Sequence, residues 1–210
     1  MTPVHGHEPD PIVAYQGEPG AFSEEAIVEL WGAAASPLAC HTFAEVVRAV
    51  REGSARFGML PVENSIAGPV RTSLAAIADS GLTAVGATEL RIRLCLLAHP
   101  GVGIDALRSV ESHPVALEQC MVYLRAHPWL SVREAFDSAG AARAVAASGD
   151  RTRGAIASER AGELTGLATL ASGIEDRADN VTRFTIVARE RLPLPSRALD
   201  RGRARANLER

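Results

Sequence analysis

Five short stretches of this chain collect the residue types that chemistry needs. The stretch DNVTRF (179–184) sets a hydroxyl, a guanidinium and an aromatic ring side by side, ahead of the apolar run TIVA. A positioned hydroxyl can pass a proton, and a guanidinium can grip a carboxylate with two prongs, so the pattern suits a small acidic ligand. YQGEPGAFS (15–23) offers two glycines and a serine, and LPVENSIAG (60–68) carries Glu63, Asn64 and Ser65. VESHPVALEQC (110–120) carries Ser112 and His113, and FDSAGAA (136–142) carries Asp137 and Ser138. Singly, each also has a plain structural use. Gly17 and Gly20 serve a tight turn, Glu63 to Ser65 and the Asp137–Ser138 pair suit helix caps, and His113 suits a hydrogen-bonded loop.

The elements around these stretches alternate. IVAYQ (12–16) reads as a buried strand, followed by a glycine turn and the helix FSEEAIVELWG, whose start carries Ser23, Glu24 and Glu25. TFAE (42–45) is a capping box opening a helix with Phe43, Val46, Val47 and Val50 on one face. FGMLPV, PVRTSLAAIADSG and LTAVGA read as strand, helix and strand, and RIRLCLLA (91–98) reads as one strand passing from an edge into a core. SVES, ALEQCMVYLRA, VREAF, an Ala-rich helix after Asp137, GAIAS, SERAGELTGL and RFTIVARE then repeat the alternation. This order predicts a mainly parallel sheet covered on both faces, and the change of character near residues 86–92 divides the chain into two α/β lobes. In such sheets ligands sit beyond the carboxyl ends of strands, where the five stretches fall.

Composition excludes several classes. With 210 residues and 47% hydrophobic content the chain can bury a core. All 22 basic residues are Arg, so neither a Schiff-base lysine nor a phosphate-loop lysine is possible. The last twenty residues hold six Arg against Asp200 and Glu209, or +4, which leaves −7 of the total −3 on the body and argues against nucleic acid as a partner. Cys40, Cys95 and Cys120 are odd in number and far apart, so neither a disulfide framework nor a CxxC metal clamp is expected. No run of eighteen apolar residues occurs, and the first residues lack a charged-then-apolar leader, so a cytoplasmic protein without a membrane partner is expected.

Together the blocks YQGEPGAFSEEA, LPVENSIAGPV, SHPVALEQC, AIASERAGELTGL and NVTRF resemble the catalytic domain of the prephenate and arogenate dehydratases, from about Ile12 to Glu190. The resemblance implies a two-lobed fold like the type II periplasmic binding proteins, with the active site in the cleft between lobes. Lobe one would take about 12–87 plus 183–190 and lobe two about 88–182, with residues 1–11 and 191–210 as tails too short for the regulatory ACT domain of many relatives. It also implies loss of carbon dioxide and water from prephenate without metal or organic cofactor, and a homodimer or larger assembly. Thr182 would be the essential residue, with Ser23, Asn64, Ser65, Arg183 and Phe184 lining the cleft.

Physics supports such a role. Prephenate is one elimination short of aromaticity, so no electron sink is needed, and the difficulty lies in expelling hydroxide. Thr182 would act as general acid, Arg183 as a carboxylate clamp, and the helix starts near Ser23 and Ser65 as backbone donors. Strand alternation puts Thr182 and Phe184 on one face and Arg183 on the other, so Arg183 can join them only through an irregular backbone or a ligand at the strand's end. Two positions depart from the family: Val115 stands where Gln is usual, removing an amide from the cleft rim, and Ser138 stands where Thr is usual, keeping the hydroxyl. A prephenate decarboxylase and a silent carboxylate-binding module are the rival readings.

Overall fold

A computed structural model describes residues 10–192 and 194. The expected tails therefore lie almost wholly outside the described residues. From the N-terminus the elements are β1 (Ile12–Gln16), α1 (Phe22–Trp31), β2 (Ser36–Cys40), α2 (Phe43–Glu52), β3 (Phe57–Asn64), β4 (Gly68–Pro69), α3 (Arg71–Ala78) and β5 (Thr83–Arg91). They continue with β6 (Cys95–Ala98), β7 (Ser109–Ser112), α4 (Pro114–Glu118), α5 (Met121–Ala126), β8 (Ser131–Glu134), α6 (Ser138–Ser148), β9 (Arg153–Ala157), α7 (Glu159–Thr165), β10 (Ala168–Ser172) and β11 (Val181–Ala188).

Two sheets result. The first runs β2-β1-β3-β11-β5 with β4 beside β3, and the second runs β10-β6-β9-β7-β8. Neither is mainly parallel, contrary to expectation. Strands joined by a covering helix pair in parallel, as β1 does with β2 and β3 and as β7 does with β8 and β9. The last strand, β11, returns from the second sheet, inserts between β3 and β5, and lies antiparallel to both. In the second sheet β6 is antiparallel to β9 and β10.

The segment RIRLCLLA is likewise not one strand. Arg91 ends β5 in the first sheet, Ile92 N donates to the Asn180 carbonyl, Leu94 N donates to Glu175 Oε2, and Cys95 opens β6 in the second sheet. Its switch from alternating to fully apolar marks a crossing between sheets, where β6 becomes buried on both faces. The segment ALEQCMVYLRA also breaks into α4 and α5. At the break, the Gln119 carbonyl accepts from Asp176 N at 2.6 Å, while the Asp176 carboxylate caps the first turn of α5 by accepting from Met121 N and Val122 N.

The capping box of α2 forms with one change of partner. Thr42 Oγ1 accepts from Glu45 N at 3.1 Å, and the Glu45 carboxylate reaches His41 N, one residue before the cap. One apolar cluster includes residues of both sheets, among them Tyr15, Met59, Phe184, Leu94, Leu96 and Ile156. The sheets are therefore packed against each other through a shared interior, and the surface between them opens into a cavity.

Candidate active site

The cavity has a volume of about 530 Å³ and draws its lining from both sheets. From the first come the glycine turn and start of α1, the end of β3 with Asn64, the start of α3 with Arg71 and Thr72, and Thr182 and Phe184 of β11. From the second come His113, Gln119, Asp137, Ser138 and Ser158. Much of the wall is apolar, including Phe22, Pro61, Ile92, Leu94 and Val115.

Thr182 is half-buried and its Oγ1 accepts a hydrogen bond from Asn64 Nδ2 at 3.0 Å. The orientation of the Asn64 amide is fixed by its own surroundings. Oδ1 accepts from Ile66 N at 3.0 Å and Ala67 N at 2.9 Å, so Nδ2 must face Thr182 and Asn180. Asn180, fully buried, accepts at Oδ1 from Asn64 Nδ2 at 2.8 Å and donates from Nδ2 to Gln119 Oε1 at 2.9 Å. Gln119 Nε2 closes the ring by donating to Asn64 Oδ1 at 3.3 Å. Three amides, from β3, from the end of α4 and from the entry to β11, thus hold one another in a single arrangement. Because Asn64 donates to Thr182, the threonine proton remains available to the cavity.

Arg183 does not enter this site. Against β3, Arg183 pairs with Glu63 and Phe184 with Pro61, so the irregularity falls on β3 at Val62 and β11 keeps its alternation. Arg183 is exposed on the opposite face, with Glu89 Oε1 at 3.3 Å and Glu63 Oε2 at 3.6 Å. The irregular backbone that would bring Arg183 to the face of Thr182 does not occur in β11. Phe184 lines the cavity yet is 1% exposed, so it is chiefly core with one edge on the wall.

Ser65 is likewise outside the lining. It sits in the turn between β3 and β4, where its Oγ donates to the Asp179 carbonyl at 2.8 Å and accepts from Val181 N at 2.9 Å. It begins no helix, but it ties the turn carrying Asn64 to the entry of β11. Ser23 does line the cavity, buried in the first turn of α1.

The helix starts around the cavity fall into two kinds. α6 and α7 are capped by side chains, Asp137 accepting from Gly140 N and Ser158 from Ala161 N. α1 and α3, both on the first sheet's side, begin at Ala21 and Val70 with no side-chain cap. Their first N–H groups carry the positive end of the helix dipole toward the cavity.

A second bridge between the sheets runs along the rim. Glu24, buried, receives Arg160 Nη2 on Oε1 at 2.7 Å, while its Oε2 accepts from Tyr15 and Gly20 N. Burial, reinforced by Glu24, pushes the Tyr15 phenol above its ordinary range, so it stays protonated and donates. Ser158 Oγ donates to the Gly20 carbonyl at 2.6 Å, and a Cβ on Gly20, at φ +94°, would lie 2.6 Å from Ala161 Cα. The glycine in GEPG is thus required by close approach to α7. Among the described residues no group of three His, Cys, Asp or Glu is placed to hold a metal ion.

Sequence reasoning assigned no role to Gln119, Asn180 or Arg71. Gln119 and Asn180 stood inside quoted blocks, and their signal was a polar amide beside apolar neighbours that burial would force into partnership.

The family model described as "Prephenate dehydratase" matches residues 13–192. The chain belongs to the prephenate dehydratase family. It is 41% identical over 191 residues to arogenate dehydratase 1 of Petunia hybrida, covering 90% of this chain and 45% of that protein. It is 39% identical over 187 residues to the bifunctional N-acyl-homoserine lactone acylase/prephenate dehydratase of Komagataeibacter europaeus, covering 88% of this chain and 65% of that protein. In structure it is similar to the prephenate dehydratase of Arthrobacter aurescens solved with L-Phe, at TM-score 0.80 and 30% identity over 88% of this chain and 62% of that one. The chain therefore spans about half the length of the plant relatives that it matches.

Proposed function

We propose that this chain eliminates water and carbon dioxide from prephenate, or from its amino counterpart arogenate, to leave an aromatic ring. The observation that carries the reading is the Thr182 hydroxyl, facing the cavity with its oxygen held by Asn64 Nδ2 at 3.0 Å. As the ring carboxylate departs, the electrons of its C–C bond move into the ring and the C–O bond at the far side breaks. The Thr182 proton passes to the departing oxygen, which leaves as water. Threonine is a weak acid, so the charge left on Oγ1 needs a donor, and the Asn64 amide is already in place to supply one. Solvent then restores the proton.

The apolar wall assists the other half of the reaction. A carboxylate held against Ile92, Leu94 and Pro61 loses hydration, whereas the transition state has spread that charge into the ring. Among the rivals, a silent binding module gives no reason for a hydroxyl whose proton is left free beside a dedicated amide. Work in the cytoplasm, as a homodimer or larger assembly, belongs to the same proposal; no described helix is long and apolar enough to cross a membrane.

The test is one incubation of purified protein with prephenate, and a parallel one with arogenate, following aromatic product and carbon dioxide together. Equal release of both supports the reading. Carbon dioxide without an aromatic product would replace it with decarboxylation alone, and tight binding of unaltered ligand would replace it with a binding module.

A further inference from the structure

One arginine is among the residues that line the cavity, and it is not the one beside Thr182. Arg71 lines the wall at the first position of α3, and among the described residues no carboxylate pairs with it. The first N–H groups of the helix that it opens have no intrahelical partners, and no side-chain cap satisfies them. The other charged group on the wall, Asp137, is engaged in capping α6. Arg183, the alternative clamp, faces away and lies against Glu89 and Glu63.

A diacid that loses one carboxylate poses a question of assignment. A guanidinium on the departing carboxylate would stabilise the ground state, because that charge leaves the carboxylate during the reaction, and would therefore raise the barrier. A guanidinium on the side-chain carboxylate stabilises substrate, transition state and product alike. One arginine on a wall that also has an apolar part at Pro61, Ile92 and Leu94 fits the second arrangement: it anchors the charge that persists and leaves the other to be desolvated.

We infer that Arg71, aided by the uncapped start of α3, binds the side-chain carboxylate that the product retains. The inference rests on the reading of the site given above. Its signature is uniform binding, so substrate and product should lose affinity together when the guanidinium is removed.

The experiment compares the unaltered chain with Arg71→Gln and Arg71→Lys, measuring KM and kcat for prephenate and the inhibition constant of phenylpyruvate. A charge-assisted carboxylate contact predicts that Arg71→Gln raises KM and the product constant by a common factor of about ten or more, with kcat falling much less. Arg71→Lys recovers part of that factor, since ammonium keeps the charge and loses the fork. An unchanged KM overturns the inference, and so does a rise in KM with product affinity intact and kcat not lowered, which would put Arg71 on the departing carboxylate. If the unaltered chain forms no aromatic product, the proposed reaction fails separately. Calorimetry with phenylpyruvate then still decides the inference: weaker binding to Arg71→Gln supports it, and equal or absent binding overturns it.

Discussion

Asn64 Nδ2 lies 3.0 Å from Thr182 Oγ1, and two backbone N–H groups on Asn64 Oδ1 prevent the amide from turning round. β3 and β11 are adjacent in the sheet, and Asn64 and Thr182 are direct cross-strand partners. The donor to the hydroxyl is thus set by sheet register, 118 residues apart in sequence. Asn64→Ala should lower kcat by about a hundredfold, the scale of losing one preorganised donor to a developing oxyanion. Steady-state kinetics on protein with an unchanged circular dichroism spectrum checks this.

Arg183→Gln should do little by comparison. Its ion pairs are exposed, and such pairs are worth about 0.2–1 kcal/mol. KM should change by less than about threefold, since an exposed contact outside the cavity adds nothing to binding. A tenfold rise would return Arg183 to the site.

Gly20→Ala tests the contact between the sheets. The added Cβ would meet the Ala161 backbone at 2.6 Å from a residue at φ +94°, and neither strand of contact can yield without parting α1 from α7. A loss of about 2 kcal/mol or more in urea denaturation is expected from backbone strain and overpacking together. Arg160→Ala should cost about 1–3 kcal/mol by the same measurement, because it leaves the buried Glu24 carboxylate short of its main partner.

Much of this was legible in the residues, and the exceptions have physical causes. Alternation in DNVTRF correctly separated Thr182 and Phe184 from Arg183, because a strand's side chains obey its pleat whatever their chemistry. The resemblance to a family had put all three in the cleft, and only the neighbouring strands show that the bulge lies on β3. Ser65 looked like a helix start because hydroxyl caps are common, yet its partners, Asp179 and Val181, come from the far end of the chain. The amide ring of Asn64, Gln119 and Asn180 was out of reach for the same reason: its members are separated by more than fifty residues. Mixed strand direction escaped too, since local alternation of strand and helix does not say where the final strand inserts.

The cysteines provide a check on burial and pH. Cys120 is held as a thiol by burial, with Asp176 and Glu175 adding to the effect, and its pKa is pushed up to about 12. Because the shift is upward, the folded state suffers nothing from it below the free thiol's value of about 8.5 and loses stability as pH climbs from there toward 12. Cys95 and Cys40 are both shifted upward as well, mainly by burial, but Cys95 is buried while Cys40 is partly exposed. At pH 8 a thiol reagent should therefore label native protein at Cys40 alone, and Cys40→Ser should abolish labelling until denaturant is added.

The central claim is that the Thr182 hydroxyl delivers the proton that removes the oxygen. The most direct measurement is the rate of aromatic product formation from prephenate and arogenate by Thr182→Ala and Thr182→Ser. With general acid catalysis worth about 10²–10⁴, the alanine variant should fall by that factor, while the serine variant, which keeps a hydroxyl beside Asn64, falls far less. An alanine variant that forms aromatic product at the rate of the unaltered chain would contradict the account.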